Sequence, residues 1–160
     1  MAGSINHRRA YPMRSQVVLK LLGPLDQLHL VWQVGETMLA SVAFADDPEG
    51  TRYHVLLALQ EMVTNVLRHA YDQDETRPIE LCFETSADDF EVTLRDQGPA
   101  FDPLAHDSSA IVSGSQMPKE SGGFGIPILR KCMDEVSYER RDGWNQLRMR
   151  KHARTPVLVR

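Results

Sequence analysis

Two cysteines, Cys82 and Cys132, are all that this sequence of 160 residues holds. They leave no room for a disulfide framework, and no zinc-type Cys/His spacing accompanies them, so a reducing compartment, the cytoplasm, is expected. No apolar run approaches the roughly 20 residues that a membrane-spanning helix needs, so no membrane association is expected. Residues 1–16, MAGSINHRRAYPMRSQ, carry basic side chains with no apolar stretch behind them, which is not the pattern of a secretory leader. An excess of positive charge is also missing. The net charge of −4 argues against direct binding of nucleic acid. The phosphate loop G-x-x-x-x-G-K-[ST] does not occur, nor do the H-R-D and D-F-G patterns of eukaryotic-type kinases. Internal repeats are lacking as well.

The content is that of a soluble globular domain: 42% apolar, 25% charged, and long enough to close one hydrophobic core. Residues 1–14 read as an N-terminal tail, 15–151 as a single domain and 152–160 as a C-terminal tail. Within the domain, 15–22 reads as a strand that Gly23-Pro24 breaks. Residues 25–43 show helical spacing, with Trp32 and Leu39 assignable either to the core or to a subunit interface. Asp46-Asp47-Pro48 is a turn that starts a helix over 49–71. Residues 78–85 and 89–96 alternate as two strands about a short turn. The stretch 98–121 is aperiodic and rich in Ser, Gly and Pro, a length of irregular chain that is usually functional. A helix over 125–133 follows. Strands at 135–141 and 145–151 then meet at an Asp142-Gly143 hairpin turn. The order predicts an α+β layered sandwich with a mostly antiparallel sheet.

Three constellations carry chemistry. On the helix 49–71, Glu61, Asn65 and Arg68 fall within roughly 60° of one another at about 100° per residue, with Thr64 beside them, while Leu59, Met62, Val63, Val66 and Leu67 fill the opposite arc. A stripe that mixes acid, amide and base differs from the Glu/Lys repeats of a solvated face. Asp96 continues the parity of Phe90, Val92 and Leu94 and so points to the apolar side of its strand, where a carboxylate needs donors. It either caps the turn at Gly98 or accepts from an exocyclic amino group such as adenine's. Gly122-Gly123-Phe124-Gly125 precedes a helix whose Pro127 is tolerated only in its first turn. The glycines therefore form either a hinge or an anion site at a helix N-terminus.

In order and with matching spacing, these segments resemble the Bergerat-fold (GHKL) ATPase superfamily. Glu61–Asn65 matches its E-x-x-x-N box, Asp96–Asp102 its D-x-G-x-x-F-D box, and Gly122–Gly125 its second glycine box. EMVTNVLRHAY and MDEVSY are similar to runs of one subgroup, the bacterial anti-sigma-factor serine/threonine protein kinases. The resemblance implies a two-layer sandwich with helices on one face of the sheet. Glu61 would be the general base, Asn65 the Mg²⁺ ligand, and Asp96 with Gly98 the adenine contacts. Gly122, Gly123, Phe124 and Gly125 would hold the phosphates, and 102–121 would form the lid. Arg68 would contact phosphate or pair with Asp72. The implied activity is ATP-dependent phosphorylation of a small anti-anti-sigma protein of the STAS type, coupled to sequestration of a sigma factor or another regulator. A homodimer is compatible with this.

The chain departs from the subgroup at two places. GGFGIPIL replaces a longer glycine run, and Asn145-Gln146 stand where the family usually has a Thr pair lining the adenine pocket. Rival readings are an ATP-binding partner switch without phosphotransfer, the catalytic half of a two-component sensor kinase, and an α+β protein that binds no nucleotide. The second of these needs a helical hairpin with a phospho-accepting His, and one short helix carrying His29 is not that hairpin.

Overall fold

Alternating apolar and polar side chains sort one antiparallel sheet into two faces. The computed structural model describes residues 14–22, 27–105 and 125–153. In β2 (Ile79–Thr85) and β3 (Asp89–Asp96), Ile79, Leu81, Phe83, Phe90, Val92 and Leu94 are all buried. The register sets Phe83 opposite Val92, Leu81 opposite Leu94 and Ile79 opposite Asp96. β1 (Ser15–Leu21) pairs with the outer side of β2. β5 (Trp144–His152) pairs with β3, and β4 (Glu135–Arg141) lies beyond it. Among the described residues the sheet has five strands in the order β1-β2-β3-β5-β4.

Among the described residues three α-helices accompany the sheet: α1 (Leu28–Ala40), α2 (Pro48–Asn65) and α3 (Gly125–Cys132). A Cβ at Gly35 would stand 2.6 Å from Leu56 and 3.7 Å from Phe83, so α1 sits against both α2 and β2. Leu39, Leu59, Val63 and Leu129 join the strand residues in one core. Leu39 is fully buried there, whereas Trp32 is half-buried and meets Tyr53 edge-on. Pro48 opens α2, and the Asp47 carboxylate caps it by accepting from the Gly50 N–H at 3.1 Å. The other side of the sheet is polar. There Glu80 joins Lys20 and Arg95, and the buried Glu91 is held by Arg148 and Arg150.

The α+β class, the antiparallel sheet and the order of elements agree with the expectations from sequence. The helix expected over 49–71 does not stay α-helical. α2 gives way after Asn65 to a π turn, Val66–Ala70, closed by Tyr71 N–H donating to the Val66 carbonyl at 2.9 Å. β5 runs one residue past the strand expected to end at 151, because His152 is gripped by Asp89 from β3 and by Glu135 from β4. Gly122, Gly123, Phe124, most of the expected lid and most of both expected tails lie outside the described residues. Among the described residues, no helix is long and apolar enough to cross a membrane.

Candidate functional site

α2 and its π turn form the spine of the site. Glu61 and Asn65 lie on this helix half-buried, and among the described residues neither side chain has a hydrogen bond or ion pair. The start of α3 is pressed onto this stripe. A Cβ at Gly125 would lie 3.1 Å from Nδ2 of Asn65, 3.1 Å from Met62 and 3.3 Å from Cβ of Glu61. The N-terminal turn of α3, the end where a helix carries its positive dipole, therefore lies beside a carboxylate and an amide that have no partner among the described residues.

π turns inserted in α-helices are frequent at functional sites, and this one changes the geometry expected from sequence. Its wider i→i+5 closure rotates Arg68 away from the strict α-helical stripe shared with Glu61 and Asn65. Arg68 and His69 are exposed. The Arg68–Asp72 pair weighed from sequence does not form, because Asp72 has already left the helix at φ 48°. Among the described residues Arg68 makes no ion pair.

The loop after β3 docks against the end of this turn. A Cβ at Gly98 would collide with that of Ala70 at 2.6 Å, so the glycine serves the close approach of loop to helix. Tyr71 secures the same contact. Its hydroxyl donates to the Pro78 carbonyl at 2.6 Å and accepts from the Gln97 N–H at 2.7 Å. Burial pushes this phenol above its ordinary pKa. Arg77 lies over the Tyr71 ring at 4.4 Å and donates to the Gln97 carbonyl.

Asp96 is 7% exposed at the end of the core-facing row. Its Oδ1 accepts from the Gly98 N–H at 2.7 Å and from Asn145 Nδ2 at 2.9 Å. The turn-capping role is thus realised by one oxygen. Among the described residues, Oδ2 has no donor. Asn145 also donates to the Pro99 carbonyl at 2.9 Å, and its own oxygen accepts from the Tyr138 hydroxyl at 2.8 Å and from Arg140 at 2.7 Å. Gln146 pairs with Arg95 and faces the polar side of the sheet, so the Asn145-Gln146 pair does not act as a unit.

Sequence reasoning missed Tyr71, Tyr138 and Arg140. The signal for Arg140 was present: a two-residue hairpin at Asp142-Gly143 sets Arg140 opposite Asn145, and Tyr138 shares its face. Tyr71 gave no such signal, because its role depends on where the π turn ends. Among the described residues, no cluster of three or more His, Cys, Asp or Glu side chains could hold a metal ion.

Over residues 25–151 the sequence matches the family described as histidine kinase-like ATPase domain. It is 29% identical over 102 residues to the serine/threonine-protein kinase BtrW of Bordetella bronchiseptica, covering 64% of this chain and 71% of that protein. The serine-protein kinase RsbW of Staphylococcus epidermidis is 31% identical over 105 residues, covering 61% of this chain and 62% of that one. RsbW of Bacillus subtilis is 29% identical over 93 residues, covering 54% and 56%. The chain thus spans from 56% to 71% of the length of these relatives.

Proposed function

Because the chain belongs to the histidine kinase-like ATPase domain family, we propose that it binds ATP with Mg²⁺ and transfers the γ-phosphoryl group to a serine or threonine hydroxyl of a small protein partner. The relatives' names as serine and serine/threonine kinases support this reading. The observation that carries it is the packing of Gly125 against Glu61 and Asn65, which joins two sequence motifs around polar groups that have no partner among the described residues.

The residues present fit the ligands. Asp96 Oδ2 is the acceptor for the adenine amino group, and the buried Asn145 contact holds that carboxylate. Gly125 lets the N-terminus of α3 approach Asn65 and Glu61 closely, and that helix end is the phosphate site, with Gly122, Gly123 and Phe124 as further phosphate contacts and 102–121 as the lid. Asn65 is the protein ligand for Mg²⁺. One protein ligand suffices, because that ion keeps waters and takes phosphate oxygens. Bound Mg²⁺ would neutralise charge on the transferring group. Arg68, exposed on the π turn and in no ion pair among the described residues, would contact phosphate once nucleotide is bound.

Glu61 is the general base. As the acceptor hydroxyl oxygen forms its bond to the γ-phosphorus, the bond to the bridging oxygen of ADP breaks and the hydroxyl proton passes to the Glu61 carboxylate. The acceptor is a STAS-type anti-anti-sigma protein, and the sequestered client is a sigma factor or another regulator, in the cytoplasm. Incubation with γ-labelled ATP, Mg²⁺ and candidate STAS proteins tests the reading. Label on a serine or threonine of the acceptor supports it. Tight ATP binding with no transfer to any acceptor reduces the chain to a nucleotide-gated binding module.

A further inference from the structure

We propose that Asn145 is a positioning residue that sets the base selectivity of the nucleotide site, acting through Asp96 and touching no nucleotide itself. The inference rests on the ATP reading above and concerns a position where this chain departs from its family.

Every polar atom of the Asn145 side chain is engaged by protein. Nδ2 donates to Asp96 Oδ1 at 2.9 Å, to the Pro99 carbonyl at 2.9 Å and more weakly to the Gly98 carbonyl at 3.4 Å. Oδ1 accepts from the Tyr138 hydroxyl and from Arg140. Asn145 is 5% exposed, so nothing remains to offer a base. Arg140 also donates to the Gly98 carbonyl at 2.9 Å, and Tyr138 accepts from the Phe101 N–H at 3.2 Å. Three side chains from β4 and β5 therefore lash the loop 98–101 and one oxygen of Asp96 into a single arrangement.

The consequence is directional. Asp96 sits in the last position of β3, where its χ angles choose which oxygen the neighbouring donors hold. With Oδ1 held by Gly98 N–H and Asn145 Nδ2, the carboxylate plane is fixed and Oδ2 is presented as a charged acceptor. Such an acceptor favours a purine with an amino group at C6 and disfavours one with a carbonyl there. The Gly98 N–H alone leaves the plane free to turn. Asn145 supplies the second donor, and Tyr138 and Arg140 fix its amide so that the NH₂ end, not the oxygen, faces the acid.

The test compares binding of ATP and of inosine triphosphate, which carries an oxo group in place of the adenine amino group, to the full chain with Mg²⁺. Wild type should prefer ATP. In Asn145→Ala the ATP-over-ITP ratio should fall by about tenfold, the scale of a hydrogen bond to a charged group, with ITP affinity nearly unchanged. Tyr138→Phe keeps the ring and removes the hydroxyl that orients the amide, and its ratio should fall in the same direction by a smaller factor. An equal loss of both nucleotides in Asn145→Ala means that the residue only shapes the loop, and overturns the proposal. If that variant does not fold, an unchanged ratio in Tyr138→Phe overturns it. A wild-type protein that binds ITP as well as ATP defeats the adenine reading itself, which separates that failure from this one.

Discussion

Gly125 lies against Asn65 so closely that a Cβ on the glycine would stand 3.1 Å from the amide nitrogen. This contact brings the first turn of α3 to the polar stripe of α2, although Gly125 lies sixty positions after Asn65 in the chain. It sets the start of α3 beside the Asn65 amide and the Glu61 carboxylate, and the prediction for Glu61 depends on that convergence.

Glu61→Gln should keep ATP affinity within a factor of a few, because the carboxylate makes no hydrogen bond or ion pair among the described residues and the change keeps the side chain's shape. Phosphoryl transfer should drop by about a hundred- to ten-thousand-fold, the usual worth of a positioned general base. Single-turnover transfer from labelled ATP measures it. Wild-type rates in the variant would remove Glu61 from the mechanism.

Gly98→Ala should harm both stability and binding. The added methyl meets Ala70 Cβ at 2.6 Å and Asp96 Oδ1 at 2.9 Å, and relief requires moving the loop that carries the acid. Overpacking of this kind costs about 1–3 kcal/mol. Urea unfolding with a parallel ATP titration checks both effects, and a variant as stable as wild type would show that the loop is not held against the helix as described.

Tyr71→Phe deletes one hydroxyl that bridges the Pro78 carbonyl and the Gln97 N–H. Leaving those two backbone groups without their partner should cost about 1–3 kcal/mol in unfolding free energy. Amide exchange at Gln97 should quicken in step. An unchanged exchange rate there would contradict the bridging role.

His152 makes part of the stability pH-dependent. Its ring bonds Asp89 at 2.6 Å and Glu135 at 2.7 Å, and these contacts, Asp89 first, hold its pKa above the ordinary 6.5. Since the folded-state pKa is the higher one, the contribution is fully present below about pH 6.5 and is lost as pH rises through the folded value. Denaturant midpoints should therefore fall from pH 6 toward pH 9 in wild type, and the His152-dependent part of that fall should vanish in His152→Asn. Identical pH slopes in the two proteins would refute it.

Sequence periodicity was enough for β3 and β4, whose observed bounds, Asp89–Asp96 and Glu135–Arg141, match those expected. Parity along β3 also placed Asp96 among buried groups correctly, because a strand's two faces are set by alternation alone. The π turn was not legible. Val66–Ala70 carries ordinary helical residues, and the turn ends where Ala70 meets Gly98 and Tyr71 bridges Pro78 and Gln97, contacts distant in sequence. For the same reason Arg68 looked closer to the stripe, and to Asp72, than it is. Asn145 was visible as a departure from a family pattern. Its binding to Asp96, Tyr138 and Arg140 required the register of two strand pairings at once, the β4–β5 hairpin and the non-consecutive pair β3–β5.

The most direct test is calorimetric titration of the full chain with ATP and Mg²⁺, run in parallel on Asp96→Asn. The account predicts saturable one-site binding to the wild type and an affinity lower by about tenfold in the variant, since an amide cannot offer the charged acceptor. Absence of saturable binding at millimolar nucleotide, or equal affinity in the two proteins, would contradict it.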